Sequence, residues 1–182
     1  NAMVGATYQP NDLWDFNLNF GTNFRLPTAI ELGANGIHHG SFRHERGNEN
    51  LDTEKGLALD FKASFHKNDW LISASPYLYY FSNYIFLKPS GQFSILPHGG
   101  QIYEYTQSKA LLTGFEIEVR KKINENFDAN VIYEYLYNRQ IQDNNKFGYY
   151  LPFTPANNLF GQVNYNIKKS AGIFENFNFF VN

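Results

Sequence analysis

Residues 57–66 alternate strictly between apolar and polar positions. Leu57, Leu59, Phe61, Ala63 and Phe65 fall on one side, and Ala58, Asp60, Lys62, Ser64 and His66 on the other. A period of two is the signature of a β-strand with one greasy and one wet face. The same period runs through Trp14, Phe16, Leu18 and Phe20, within a strand expected from about Leu13 to Arg25. It returns from Trp70 toward Leu87, from Tyr103 to Val119, and over Phe127, Ala129, Val131, Tyr133, Tyr135 and Tyr137. It appears again over Leu159, Gly161, Val163, Tyr165 and Ile167, and near Phe174 to Val181. Pro76 interrupts one of these runs and predicts a bulge or an unpaired edge, because proline cannot donate to the ladder.

The connections have a pattern of their own. Short polar turns are expected at 67–69, at 124–126 and near 168–172. Long connections are expected at about 27–55, 88–101 and 139–156, with Pro89-Ser90-Gly91 read as a turn. Short and long alternate, so in a meander one end is trimmed and the other elaborated. Transmembrane barrels combine such ends with strands that are apolar outside and polar inside. Soluble up-and-down barrels can also have unequal ends. The expected fold is all-β: an antiparallel up-and-down meander of about seven to eight long strands, a fragment of a transmembrane β-barrel. Isolated, its bare edges are expected to close on themselves or to pair with a second copy. Tyr77, Tyr79, Tyr80, Tyr133, Tyr135 and Tyr137 are expected to form an interface girdle near the loop ends.

Composition sharpens this reading. The chain has 182 residues, enough for one domain with a core. Aromatic residues make up 18%, including 13 Tyr and 18 Phe, which suits interfaces that are half apolar and half wet. A net charge of −2 gives no broad pull toward nucleic acid, and none is expected as a partner. With no cysteine, disulfides and thiolate metal sites are excluded. No stretch is long and apolar enough for a membrane helix, which says nothing against strands that cross with alternating residues. Asn1-Ala2-Met3 reads as an expression-tag remnant, leaving 4–182 as a partial β-barrel domain. The run from Asn176 to Asn182 alternates to its last residue without a closing turn, so a longer parent protein is expected.

Candidate chemistry is sparse. His38, His39 and His44, with Arg43 beside them, form a loop cluster that could capture a metal or metal chelate. The competing reading is a polar loop whose glycine-flanked histidines hydrogen-bond locally. Asp60, Lys62, Glu116, Glu118 and Glu134 fall on the polar face and are expected to line a lumen. Glu116 and Glu118, two apart, could do acid–base work, but solvated interior charges are the simpler reading. No activated serine or phosphate-cradling glycine loop is visible, so neither enzyme activity nor a cofactor is expected.

Several segments resemble the TonB-dependent outer-membrane receptors. Phe24-Arg25-Leu26-Pro27-Thr28 with Glu31-Leu32 resembles their FR-x-PT…EL signature, and Ala34 to Gly40 is similar to one of their loop motifs. Gly47-Asn48-Glu49-Asn50-Leu51 with Glu54-Lys55 resembles GN-x-x-L-x-PE-K, except that Thr53 stands where the family usually has proline. Phe81 to Ile85 resembles the NYI strand, Tyr105-Thr106-Gln107 with Ala110 to Glu116 resembles Y-x-Q…A-x-L-x-GFE, and Leu151 to Pro155 resembles LP-x-x-P. The resemblance implies a barrel of about 22 strands around a plug domain, of which this chain supplies part. It implies residence in the outer membrane of a Gram-negative bacterium, in contact with its lipid. It implies energy-coupled uptake of a scarce nutrient, a ferric siderophore or other metal chelate. It also implies partnership with the plug and with an inner-membrane energy-coupling complex. A soluble ligand-binding β-barrel or sandwich, with its apolar face sealed inside, and a structural or adhesive surface domain remain the alternatives.

Overall fold

The computed structural model describes residues 1–142, 146–171 and 174–181, with side chains described as far as Tyr165. Its strands are β1 (Ala2–Asn11), β2 (Trp14–Arg25), β3 (Asn35–His38), β4 (Arg43–Arg46), β5 (Glu54–Lys67) and β6 (Trp70–Phe93). They continue with β7 (Gln101–Lys122), β8 (Phe127–Ile141), β9 (Asn158–Ala171) and β10 (Phe174–Val181). A single short helix, α1 (Ala29–Gly33), is present among the described residues. Eight strands form one sheet in the order β1-β2-β5-β6-β7-β8-β9-β10, every neighbouring pair antiparallel. The expected meander is therefore present. The sheet path does not close, and β1 and β10 stand at its two ends.

The register turns the sequence alternation into two continuous faces. Tyr8, Phe16, Ala63, Ala74, Ile117, Tyr133 and Leu159 are successive cross-strand partners from β1 to β9. Every member of this row is apolar or aromatic. One residue away, Ser75 is level with Glu116, Glu134 and Asn158. A slip of one residue in any pair would bring the two rows onto one face, so the apolar side fixes the register. That side is uncovered: Ile117 is 39% and Val131 48% exposed. A sealed soluble module would bury these residues, and nothing covers them among the described residues.

The buried hydrophobic residues sit instead near the long-loop end. Phe86, Ala110 and Leu151 form a buried cluster with Phe81, Tyr84 and Leu112 packed on it. Leu151 comes from the 142–157 connection, whose backbone is pinned to β8: Leu151 N–H donates to Asn138 Oδ1 (2.7 Å), and Asn138 Nδ2 donates to Thr154 Oγ1 (2.8 Å).

Several expectations need correction. A strand precedes Leu13: β1 begins at Ala2, so Ala2 and Met3, set aside from the fold, pair with Thr22 and Gly21. Pro76 makes no bulge. The β5–β6 ladder lapses between the Asp60–Tyr77 and Ala63–Ala74 pairs, while register is kept on both flanks and Pro76 still faces Phe115 of β7. The missing N–H removes a rung without shifting the strand. Pro89-Ser90-Gly91 is not a turn. β6 runs through it to Phe93, with a bulge that Gly91 accommodates at φ +80°. The connection to β7 therefore shrinks to 94–100. Residues 168–171, where a turn is expected, belong to β9, whose Ala171 pairs with Phe174, and residues 172 and 173 lie outside the described residues. Tyr77 and Tyr79 do not join a girdle, since their odd positions on β6 put them on the face of Ser73 and Glu118, whereas Tyr80 shares the side of Leu111.

The end asymmetry holds with these boundaries. The turns at 12–13, 68–69 and 123–126 lie at one end, and the connections 26–53, 94–100 and 142–157 at the other.

Candidate functional site

The longest connection, 26–53, is ordered by its own sequence. Pro27 ends the run from β2, and Thr28 caps α1 with a capping box: Thr28 Oγ1 accepts from Glu31 N–H (3.3 Å), and Glu31 Oε2 accepts from Thr28 N–H (2.7 Å). Arg25 then bridges two carboxylates. Its Nη1 and Nη2 donate to Glu31 (2.8 and 3.0 Å), and its Nε and Nη2 donate to Glu54 (3.1 and 3.2 Å). Arg25 and Glu54 are register partners in β2 and β5, so the sheet sets this pair and the helix adds the third member. Burial pushes the Glu31 carboxyl up, but the hydrogen bond from Arg25 and then the Thr28 N–H outweigh it and hold its pKa below the ordinary 4.5. Glu54 Oε2 also accepts from Ile85 N–H (2.8 Å), tying the bridge to β6.

The FR-x-PT…EL and GN-x-x-L segments prove to be one structural unit. Gly47 N–H donates to Ala34 O (2.6 Å), and Asn48 N–H to Glu31 O (2.8 Å). A side chain at Gly47 would fall 2.6 Å from Ala34 N and 2.7 Å from Gly33 N, so only glycine lets this strand cross the end of α1.

Between these anchors, β3 and β4 form a hairpin. β4 lies parallel to β7, with His44, Glu45 and Arg46 level with Ile102, Tyr103 and Glu104. β8 stops opposite Lys109, which leaves this part of β7 without its expected neighbour, and β4 occupies the gap. The parallel pairing departs from a purely antiparallel sheet, and single-sequence alternation carries no signal for it.

The histidines do not converge. His44 is buried, with Nδ1 2.9 Å from Ser94 Oγ and Nε2 3.0 Å from Asn35 Oδ1. His38 Nδ1 is 3.0 Å from Ser41 Oγ, and His39 is exposed. Among the described residues, no group of three or more His, Cys, Asp or Glu is placed to hold a metal ion. Arg43 is set differently. Its Nε donates to Glu45 Oε1 (2.8 Å), and its guanidinium lies 5.5 Å from the Tyr103 ring and 5.1 Å from the Phe153 ring. Glu45 is itself buried and accepts from the Tyr105 hydroxyl (3.1 Å). Arg46 pairs with Glu104 at 3.0 Å.

Arg139 escaped the sequence reading. Its guanidinium lies 3.2 Å from the Tyr150 ring centroid and 5.4 Å from that of Tyr137. Arg43 and Arg139 therefore present guanidinium groups stacked on rings supplied by the 142–157 connection. The available signal is an arginine two residues beyond a tyrosine at a strand end, followed by the pair Tyr149-Tyr150. It is too common a pattern to single out.

Asp60, Lys62, Glu116, Glu118 and Glu134 all fall on the polar face, as their register positions require. Asp60 accepts from the Tyr79 hydroxyl (2.6 Å), Glu118 pairs with Arg120 (2.9 Å), and Glu116 is level with Glu134. Lys62 is exposed. A depression of about 260 Å³ is lined by Tyr77, Glu116, Glu134, Leu136, Pro155 and Ala156, where the long connection meets this face.

An open run of long antiparallel strands, apolar and bare on one side, polar on the other, and trimmed at one end, is a wall segment of a transmembrane β-barrel. The family of TonB-dependent receptor-like β-barrels matches residues 3–181, and the chain belongs to it. Members of that family are outer-membrane proteins. No curated protein sequence matches the chain. Among solved structures, the copper transporter OprC superposes with a TM-score of 0.69 at 18% identity, over 90% of this chain and 24% of its own. The siderophore receptor PirA from Pseudomonas aeruginosa gives 0.64 at 14% identity, over 98% and 29%. The ferric enterobactin receptor PfeA from the same organism gives 0.63 at 12% identity, over 90% and 25%. At these identities the likeness is one of fold. The chain spans about a quarter of the length of these structures. The family and these neighbours are receptors and transporters rather than enzymes.

Proposed function

We propose that this chain is part of the barrel wall of an energy-coupled receptor in the outer membrane of a Gram-negative bacterium. The receptor takes up a scarce nutrient, a ferric siderophore or other metal chelate. A plug domain and an inner-membrane energy-coupling complex act with it, and residues 4–182 supply one arc of the barrel. The polar face lines the route, with Asp60, Lys62, Glu116, Glu118 and Glu134 wetting it. Family membership supports this reading, as do the siderophore and ferric enterobactin receptors among the folds it resembles.

One observation carries the choice of an anionic chelate over a bare ion. The long-loop end offers the Arg43 guanidinium between the Tyr103 and Phe153 rings, but no gathered histidines among the described residues, whereas Arg139, level with Leu111, stands on the apolar side. Guanidinium groups on rings suit a bulky anion with flat groups. Arg43, with His38 and His39 exposed on the same hairpin, is the proposed contact region, whereas His44 serves as its internal strut.

The test is growth and labelled-iron uptake under iron limitation in a strain lacking the full gene. Loss of uptake of at least one ferric chelate, restored by the gene, supports the proposal. Unchanged iron uptake together with loss of copper uptake refutes the chelate assignment.

A further inference from the structure

We infer that the short-turn end of the outer face carries a binding site for the phosphate of an anionic membrane phospholipid, formed by Lys67 and Lys121 on either side of Trp70. The inference rests on the outer-membrane reading above and adds a ligand to a part of the wall that uptake does not use. Lys67 is the register partner of Trp70 in β5–β6, and Trp70 is the register partner of Lys121 in β6–β7. The three therefore stand side by side across three strands, with the two lysine backbones about 10 Å apart. They lie on the apolar side. The next row on that side is Phe65, Ile72, Val119 and Val131, again level with one another.

A cationic row one step from an apolar row matches a phospholipid in order and polarity. Acyl chains lie on the apolar row, and the headgroup phosphate reaches the ammonium groups. Long lysine stems suit this position, since they cover apolar surface while the charge stays in the wet layer. Trp70 is 43% exposed, and its ring holds the Lys121 ammonium 4.7 Å from its centroid. The other tryptophan of the chain, Trp14, stands one row away on the same side, as the register partner of Phe65, against which it packs at 4.9 Å. Indole rings prefer the headgroup layer.

The charge balance favours an anionic lipid. Asp69 lies 4.0 Å from Lys121 and offsets part of its charge, while among the described residues Lys67 makes no ion pair. The neighbouring Arg120 sits on the opposite face with Glu118. Two ammonium groups against one carboxylate leave a net positive site. The adjoining apolar row selects a lipid phosphate over a free one.

The full-length receptor, incubated with vesicles of equal parts phosphatidylglycerol and phosphatidylcholine and analysed by native mass spectrometry, tests the site. Wild type should retain phosphatidylglycerol over phosphatidylcholine by about tenfold. Lys67→Gln/Lys121→Gln should lose that preference. Lys109→Gln, which removes one ammonium group near the other end of the sheet, should keep it. Equal retention by the double variant, equal loss in Lys109→Gln, or displacement of the lipid by inorganic phosphate would each overturn the inference. Receptor that enters the vesicles without lipid preference overturns this site alone. Receptor that never enters them overturns the outer-membrane reading as well.

Discussion

Tyr77 of β6 lies across Gly114 of β7. The two are register partners on the polar face, and a side chain at Gly114 would fall 2.5 Å from the Tyr77 hydroxyl oxygen and 2.8 Å from its ring. Gly56 and Phe81 repeat the arrangement one strand over, where an added methyl group would meet the Phe81 ring at 2.9 Å. β6 thus shields two glycine strands with its aromatic rings. The glycine of the GFE segment has a physical reason, which is that the ring fills its space.

Gly114→Ala should therefore destabilise the barrel by about 2 kcal/mol, through overpacking against Tyr77 and the Tyr135 carbonyl. Denaturant unfolding of the full-length receptor in detergent checks this. Gly36→Ala, at a position with nothing within 4 Å of the added carbon, should shift the midpoint far less.

Arg25 joins a strand, a helix and the next strand. Replacing it with alanine leaves Glu31 and Glu54, with side chains 13% and 10% exposed, facing each other without a cation. The expected cost is about 2–3 kcal/mol, concentrated in the 26–53 connection. Arg25→Lys should recover only part of it, because an ammonium cannot match both carboxylates with paired donors. Limited proteolysis of that connection reads the effect separately from the barrel.

The same cluster gives a pH dependence. The folded pKa of Glu31 is depressed, so its contribution to stability is fully present above the ordinary value of 4.5 and is lost as pH falls through the lower folded value. Amide-exchange protection across α1 should persist near pH 4.5 and decline only below it. Glu31→Gln should remove that decline and lower protection at neutral pH. A decline already complete above pH 5 would contradict the assignment.

For the long-loop end, Arg43→Ala should weaken binding of a ferric chelate by about tenfold and, by leaving the buried Glu45 without its cation, should also lower the unfolding midpoint, whereas Arg139→Ala, on the apolar side, should leave binding unchanged. His44→Ala should instead loosen the β3–β4 hairpin, because both its ring nitrogens are engaged within the protein. Titration of the full-length receptor followed by tyrosine and tryptophan fluorescence separates the two outcomes.

The alternation of Leu57 through His66 is enough to place β5, its two faces, Asp60 and Lys62, and the same period in β7 and β8 places Glu116, Glu118 and Glu134, because such a strand writes its environment into every second residue. By parity Tyr77 and Tyr79 belong with Ser73 and Ser75, so residue type and strand position disagree there, and position decides. β1 has a weak signature in the sequence, because Gly5 and Pro10 dilute a short pattern. Pro89 and Gly91 were read as a turn, since sequence alone cannot tell a bulge in a continuing strand from a chain reversal. The hairpin's parallel seat on β7 depends on where β8 ends, a long-range fact with no local signature. The histidines drew attention by residue type, yet what decided the role of His44 was Ser94, fifty positions away.

The most direct test of the account is accessibility on the two faces of β7. This chain has no cysteine, so once any cysteine elsewhere in the full-length receptor is replaced, single cysteines at Ile117 and Glu116 give unambiguous spin labels in bilayers. The account predicts that the label at 117 is relaxed by lipid-soluble oxygen and shielded from a water-soluble nickel chelate, with the reverse at 116. Equal exposure of both labels to the nickel chelate, or an inverted pattern, would contradict it.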